Sequence, residues 1–450
     1  MRRATLLVAL LPLWGCATVH ETDTRRALAD ARNQLALEPR DAPPIDGTLG
    51  TYVAHAIARS PAIRGDFERW RAATLRIGAA GRMPEPTVTY AFYVLPVQTR
   101  VGPQRHRVSV RQELPWPTAI TAATDAQSLR ARASQRRFEA GALSVRARVA
   151  DAWWRLWQTR AARDVRQEQL AVLGGLGDTL RGRLEIGEAS VAEVAQVELR
   201  RARLEDSIDG LEPIERTAEA ALRAAAGLPV DADVPTRGAP PNAALPLASE
   251  AQLREAIPHH PFLLAFALRA DAAERQAGAH EAARFPRLTL GVDWIETGEA
   301  MTPVSGNGND ALIVQVGLSV PLWQDRYESA QRAAEADAEA ERSDREAATD
   351  AAMAELAAAL SGVRDARRRT RTAERTLLPQ ATSAYESVLG AYAVGRVSAA
   401  AALLAHRELL EIALEALAAR ADHGRAWARL EAIVGQPVEP ALDVSQETSR

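Results

Sequence analysis

The residues that could do chemistry in this sequence are few, and a single cysteine stands out among them. Met1-Arg2-Arg3 precedes a short apolar run that ends in Leu13-Trp14-Gly15-Cys16. A charged start followed by a short apolar core indicates a secretory signal. Leu-x-Gly-Cys resembles the bacterial lipobox, whose cysteine is acylated after cleavage, although Trp14 is larger than the residue usual there. We expect residues 1–15 to be a lipoprotein signal peptide and Cys16 to carry the lipid. An ordinary signal with an unmodified cysteine is the alternative.

No arrangement of side chains points to catalysis. The sequence contains no lysine and therefore no Walker A loop, and neither His-Glu-x-x-His nor Gly-x-Ser-x-Gly occurs in it. A lone cysteine leaves no thiolate metal site and no intrachain disulfide. His259-His260 is the one adjacent histidine pair, and beside Pro261 at a predicted helix start we expect it to be structural. We predict that the chain is not an enzyme and binds no metal and no cofactor.

Composition and charge favour helices and argue against a nucleic-acid partner. The 450 residues carry 55 basic and 58 acidic side chains, which gives a formal net charge of −3. This balance provides no electrostatic case for binding nucleic acid. The apolar fraction is 47%, but only 5% of residues are aromatic. Alanine, leucine and arginine are therefore abundant, and they favour long helices.

Two short stretches carry polar side chains at a recurring spacing. The first contains Gly187, Glu188, Ser190 and Glu193, and the second contains Gly395, Arg396 and Ser398. Glycine ends a helix and a serine three residues later caps the next one, so each stretch is predicted to be the tip of a helical hairpin. Glu193 follows Ser190 by three residues, as in a capping box. It could alternatively present a functional carboxylate at the tip.

Long helices must position these tips. Helical periodicity runs from Thr118 to about Ile186 and again from Ser190 to Ala226, and the first arm would measure about 100 Å. Leucines recur at coiled-coil spacing in the first arm, at Leu173, Leu176, Leu180 and Leu184. Trp153, Trp154 and Trp157 lie in the same arm. We expect these tryptophans to be buried packing anchors.

Alternating apolar and polar residues predict strands before each long arm. Val88, Tyr90, Phe92 and Val94 share one face of the first run. In the second run Val108 and Val110 share a face, and Arg107, Ser109, Arg111 and Glu113 occupy the other. This period of two indicates strands with one apolar and one wet face. Residues 87–114 and 287–320 are therefore predicted to form two hairpins.

The chain repeats itself at an offset of about 200 residues. Ser60-Pro61 corresponds to His260-Pro261, and Gly227-Leu228-Pro229 corresponds to Gly435-Gln436-Pro437. We predict a tandem duplication of one helix, strand-hairpin and helical-hairpin unit. The expected boundaries are a tether over 16–47, repeat 1 over 48–229, a linker over 230–247, repeat 2 over 248–437 and a tail over 438–450, with tips near 187–190 and 395–398.

Both long arms contain helix-weakening residues at a comparable distance before their tips. Gly174 and Gly175 precede Gly187 by about a dozen residues, and Pro379 precedes Gly395 by sixteen. Proline removes a helical hydrogen bond and bends the helix. We predict hinge points at these residues, which would let the hairpin ends bend inward and straighten.

The sequence resembles the TolC family of outer-membrane efflux proteins in three features. These are the duplicated layout, the strand-closing Gln112-Glu113-Leu114-Pro115-Trp116-Pro117 and the Gly-x-x-Ser tips. The resemblance spans about residues 47–437. Within that family the sequence is most similar to the lipoprotein, heavy-metal-efflux branch. The motifs that carry this similarity are the Pro-Trp-Pro strand exit, Leu378-Pro379-Gln380 and the lipobox. The fold implied is mainly α with a small β part. Three chains would form a periplasmic α-barrel and a 12-stranded outer-membrane β-barrel, to which each chain contributes four strands.

The resemblance also implies a function and partners. Family members are homotrimers that contact outer-membrane lipid, a periplasmic adaptor (membrane fusion) protein and an inner-membrane pump. They are passive conduits that export small solutes. For this chain, heavy-metal cations are one candidate cargo. In relatives, acids six and nine residues after the second tip's glycine ring the closed pore. Here those positions are Ala401 and Leu404, so we expect any selectivity ring to come from Glu188, Glu193 or the neighbouring Arg396, and we expect the gate on the first tip.

The residue after the cysteine indicates where the protein is located. Ala17, rather than aspartate, follows Cys16, which in lipoproteins suggests sorting to the outer membrane. We expect a lipid-anchored protein that extends into the periplasm. The alternative is a periplasmic coiled-coil scaffold lipoprotein without a pore. Two alternating strand pairs at matching places in the repeats argue against it.

Overall fold

A computed structural model describes residues 19–34, 44–238, 243–302 and 304–441. The predicted signal peptide and the lipidation site Cys16 lie outside the described residues. The elements are α1 (Val19–Gln34), α2 (Leu49–Arg59), α3 (Pro61–Ala80), β1 (Thr87–Thr99), β2 (Gly102–Leu114), α4 (Pro117–Glu185), α5 (Val191–Asp209), α6 (Leu211–Ala226), α7 (Glu250–Ala256), α8 (Pro261–Ala282), β3 (Arg287–Thr297), β4 (Ala311–Ser319), α9 (Gln324–Thr372), α10 (Leu378–Ala393) and α11 (Ala399–Val434). A single 3₁₀ turn, Ile257–His259, precedes α8, and a π-helical turn, Ala373–Leu377, joins α9 to α10.

The chain divides into two compact units that do not coincide with the two sequence repeats. One comprises the described parts of Met1–Ala31, Glu68–Gln135 and Ala265–Arg345; the other comprises those of Arg32–Phe67, Arg136–Leu264 and Glu346–Arg450. Each unit therefore takes segments from both repeats. The strands of both repeats fall in the first unit, and the tips of both fall in the second.

The first unit contains one four-stranded antiparallel sheet in the order β1-β2-β3-β4. The central pairing, β2 with β3, joins the hairpins of the two repeats and sets Val110 opposite Val292. On one face, apolar side chains are 43–73% exposed: Val88, Tyr90, Phe92, Val110, Leu290, Val292, Leu312, Val314 and Val316. The opposite face is polar and more buried, with Ser109 and Asp293 almost fully covered. The predicted division into an apolar and a polar face is present.

The helices of the first unit pack through small apolar side chains. Ala73 and Ile77 of α3 bury against Ala131 of α4. The Trp116 ring stacks on Phe285 at a centroid distance of 5.4 Å. These two aromatics follow and precede strands of different repeats, so their contact ties the two repeats together below the sheet.

The second unit has an apolar core where α7, α8, α9 and α11 meet. Leu253, Leu263, Leu356, Leu360, Val363 and Leu430 are among its buried members. A second anchor is the tryptophan group of α4, where Trp153 and Trp154 are buried and Trp153 Nε1 donates to the Gly47 carbonyl at 3.1 Å. Trp153 and Trp154 agree with the expectation of buried packing anchors, whereas Trp157 is only half-buried, with its ring centroid 5.4 Å from that of Trp154.

Three details differ from the sequence-based expectations. The helix predicted over 190–226 is broken at Gly210, because Pro213 cannot donate the hydrogen bond that would continue the helix across this point. The predicted tether contains helix α1, whose alanines and arginines favour a helix. Val438, assigned to a tail, is buried in the core. Among the described residues, no helix combines the length and apolarity needed to cross a membrane.

Candidate functional site

The candidate site is built on the two helix–turn–helix tips, which the structure brings together in the second unit. At the first tip, Gly187 has φ +77°, and its N–H donates to the Leu184 carbonyl at 3.1 Å. Glu188 N–H then donates back to the Arg183 carbonyl at 2.8 Å. This pair of bonds satisfies the last carbonyls of α4 and reverses the chain. A left-handed backbone of this kind favours glycine.

The second tip has the same backbone arrangement. Gly395 has φ +73°, Gly395 N–H donates to the Tyr392 carbonyl at 3.0 Å, and Arg396 N–H donates to the Ala391 carbonyl at 2.9 Å. The two glycines are 208 positions apart in the sequence, yet their φ angles differ by only a few degrees. This match agrees with the predicted internal repeat.

The caps of the two returning helices differ. Ser190 Oγ accepts from Glu193 N–H at 3.2 Å, and Ser190 N–H donates to Glu193 Oε2 at 2.9 Å, which completes a capping box. Ser398 Oγ accepts from Ala401 N–H at 3.4 Å. Alanine at position 401 has no side chain that can return a bond. The first tip is therefore the more firmly capped of the two.

The carboxylate of Glu193 is held in its charged form. Its pKa lies below the ordinary value because the backbone N–H and then the hydroxyl of Ser190 donate to it, and the Ala399 N–H contributes further. Ala399 is the first residue of α11, so this carboxylate is oriented toward the N-terminal ends of both returning helices. Such ends favour a negative charge.

Arg183 and Tyr392 were not identified from the sequence, and they tie the two tips together. Arg183, in the last turn of α4, donates to the Tyr392 carbonyl at 3.2 Å and also to the Ala393 carbonyl. Its guanidinium lies 5.2 Å from the centroid of the Tyr392 ring. The α4 arginine thus caps α10. Arginine is frequent along α4, so spacing alone could not have singled out Arg183.

An apolar cluster beneath the tips includes residues from both. Leu176, Leu180 and Val197 pack with Tyr392, Ala399 and Ala402. At the surface, the residues that precede the two tip glycines, Ile186 and Val394, are 70% and 68% exposed. Val191 and Leu404 are also exposed. Ile186 and Val394 thus present apolar side chains to solvent at equivalent positions of the two tips.

The charged residues predicted at the tips lie around a small polar cleft. Glu188, Glu193 and Arg396 line it together with Arg183. Glu188 and Arg396 are exposed. No group of three or more His, Cys, Asp or Glu residues suited to a metal ion occurs within the described ranges. The cleft offers two carboxylates and two guanidinium groups at a helix-hairpin end, which suits ionic contact with another surface.

The predicted hinge residues occupy different backbone settings. Gly174 and Gly175 lie inside the uninterrupted helix α4, with open space where a Cβ would be. Pro379 is the second residue of α10, directly after the π-helical turn Ala373–Leu377. A π turn is a local departure from the α-helical ladder. The arm that carries Pro379 is irregular where the hinge was predicted, whereas the arm that carries the glycines is regular.

Comparison with known proteins places this fold. Residues 253–436 match the family described as "Outer membrane efflux protein". A curated relative, the outer membrane efflux protein BepC of Brucella suis biovar 1 (strain 1330), is 28% identical over 182 residues, which cover 40% of this chain and 39% of BepC. The aligned part therefore spans well under half of that relative's length.

Solved structures extend the similarity to most of the chain. The outer-membrane channel OprN superposes with a TM-score of 0.70 at 19% identity, covering 86% of this chain and 89% of OprN. The outer membrane protein VceC of Vibrio cholerae gives 0.68 at 19% identity, covering 87% and 97%. The family matched is one of channels rather than enzymes. The chain is mainly helical with a four-stranded antiparallel sheet, and it has the fold of the TolC-like outer-membrane efflux channels.

Proposed function

We propose that this chain is one subunit of a homotrimeric outer-membrane efflux channel that works with a periplasmic adaptor and an inner-membrane pump. It exports small solutes passively, without catalysis. The observation that carries the proposal is the sheet of the first unit. Its apolar side chains are exposed on one face, its polar side chains lie on the other, and β1 and β4 each have one unpaired edge within the part of the chain described.

Those open edges support an assembly of several chains. In lipid every backbone polar group needs a partner, so a spanning sheet must close on itself. Four strands are too few to close a barrel, since the smallest transmembrane barrels have eight. Three copies would supply twelve strands, with the apolar face toward lipid and the polar face toward the lumen. The helical hairpins of the three copies would form the periplasmic α-barrel.

The exposed apolar residues of the tips support contact with the adaptor. Ile186 and Val394 directly precede the two tip glycines, close in sequence to the residues that line the charged cleft. Apolar groups with a polar rim are typical of a protein interface. Changing both residues to glutamate should abolish efflux while single-channel conductance is retained. Val230, 91% exposed and away from the tips, serves as the control: Val230→Glu should leave efflux intact. Equal loss of efflux in both variants would contradict the contact.

The proposed hinges at Gly174, Gly175 and Pro379 can be tested separately. Pro379→Ala, and Gly174→Ala combined with Gly175→Ala, should lower the open probability of the channel because they stiffen the arms. Gly390→Ala is the matched control, since residue 390 also lies in a helix with open space around it. Unchanged gating in the hinge variants, or equal changes in the control, would rule the hinges out.

The lipid anchor and the cargo are further parts of the proposal. Cys16 is the proposed acylation site, and heavy-metal cations are one candidate cargo because of the resemblance to the heavy-metal branch. A strain that lacks the chain should become sensitive to the exported solutes and should recover when the chain is restored. Panels of metal salts, dyes and drugs would identify the cargo. Full resistance of the deletion strain to every compound would argue for the scaffold alternative.

A further inference from the structure

The polar face of the sheet carries more guanidinium groups than carboxylates. In the regularly paired parts of the four strands, this face contains three arginines, Arg107, Arg111 and Arg287, and two acids, Glu113 and Asp293. The polar-face residues of β1 and β4 in the paired rows are uncharged, for example Thr87 opposite Arg111 and Ser319 opposite Arg287. The face therefore has an excess of one positive charge for each chain.

Two of the three arginines are neutralised by ion pairs. Arg107 donates to Asp293 Oδ2 at 2.8 Å, and Arg287 donates to Glu113 Oε1 at 2.6 Å. Asp293 is 1% exposed, so its ion pair with Arg107 is buried within the sheet. The Asp293 carboxylate also attracts a third guanidinium, but two acids balance only two of the three positive charges. Arg111 is that third group.

The backbone register fixes the position of Arg111. Arg111 on β2 pairs with Gly291 on β3, and Gly291 pairs with Gln315 on β4, so the three form one row across the sheet. A Cβ at position 291 would lie 3.3 Å from Arg111 Cγ, so glycine leaves room for the arginine stem. The Arg111 guanidinium reaches across this gap and donates to Gln315 Oε1 at 3.4 Å. A neutral amide thus holds the charge in place without cancelling it.

We infer that the lumen of the β-domain is cationic at Arg111 and favours anionic solutes over free metal cations. This inference rests on the proposed function. In the trimer the three Arg111 side chains lie at one height of the barrel, because each occupies the same register position. Rings of arginine or lysine select anions, as rings of aspartate or glutamate select cations. Substitutions on the lumen face of such barrels tune selectivity.

The test is ion selectivity in planar bilayers under a tenfold KCl gradient, with about 10 mM on the dilute side, where the Debye length is about 30 Å. The reversal potential of the wild-type channel should give a chloride-to-potassium permeability ratio of at least about two. Arg111→Gln should bring that ratio toward one, and Arg111→Glu should make the channel prefer potassium. Arg111→Lys should retain most of the wild-type preference for chloride. Arg254→Gln removes an exposed charge outside the sheet and should keep the wild-type ratio.

The outcomes separate this inference from the proposed function. A conducting wild-type channel that prefers potassium, or one whose selectivity is unchanged in Arg111→Glu, overturns the inference and leaves the channel assignment standing. No conductance in any form overturns both. The wild-type protein gives a second readout that needs no variant. Its preference for chloride should vanish in 1 M KCl, where the Debye length is about 3 Å, and a preference that persists there contradicts a diffuse ring of charge.

Discussion

The stability of the second unit should fall in mild acid because of one buried histidine. His406 of α11 is 1% exposed, and its ring packs edge-on against Tyr385 of α10 at a centroid distance of 5.8 Å. Burial and, to a smaller extent, the nearby Arg200 guanidinium of α5 lower the pKa of His406 to about 4, although a backbone hydrogen bond with Gln169 in α4 acts in the opposite direction. The groups that face His406 therefore favour its neutral form.

The sign and size of the effect follow from these values. An unfolded histidine has a pKa of 6.5, so the unfolded chain takes up the proton first as the pH falls. The contribution of neutral His406 to the free energy of unfolding is complete above about pH 6.5, declines as the pH falls from 6.5 to 4, and is lost near pH 4. The gap between 6.5 and about 4 corresponds to about 3 kcal/mol for each chain, of which about 1 kcal/mol is lost by pH 5.5.

Chemical denaturation of the detergent-solubilised protein between pH 7.5 and 5 would measure this loss. The wild-type free energy of unfolding should fall more steeply with pH than that of His406→Gln, which cannot titrate. His259→Gln is the control, because His259 is exposed and should leave the wild-type slope unchanged. Titrating carboxylates contribute alike to all three proteins. Parallel pH profiles for the wild type and His406→Gln would refute the reasoning.

Two further predictions concern packing and capping. Gly424→Ala should destabilise the protein by roughly 3 kcal/mol or prevent its assembly, because a Cβ there would overlap the Trp154 indole. Gly390→Ala meets open space and should be neutral or slightly stabilising in the same denaturation assay; equal effects would contradict the contact. Ser190→Ala should cost roughly 1 kcal/mol of local stability, seen as faster amide exchange in α5. Ser398→Ala should cost less because it breaks no capping box, and the reverse order would contradict the unequal caps.

Local sequence signals predicted the elements well where a single physical constraint decides them. Residues 187 and 395 were identified as turns because only glycine readily adopts the backbone found there, at φ +77° and +73°. The strands were predicted from alternation, since a pleated sheet with one wet face imposes a period of two. The break at Gly210 was missed although Pro213 signalled it, because the apolar pattern continues across the break.

Contacts between distant segments could not be predicted from the sequence. The pairing of β2 with β3 joins residues about 180 positions apart, and no local preference specifies that register. Arg183 was missed for the same reason, since its role depends on the carbonyls at the C-terminal end of α10, which lie near it only in the folded chain. The unequal division of charge on the polar face also becomes visible only once the strands are in register.

Pore formation by this chain is the property that most directly tests its assignment as a channel subunit. Detergent-solubilised protein should be sized and then added to a planar lipid bilayer under voltage. We expect a particle of three chains that inserts and produces discrete single-channel conductance steps. A particle of one chain that never conducts would contradict it.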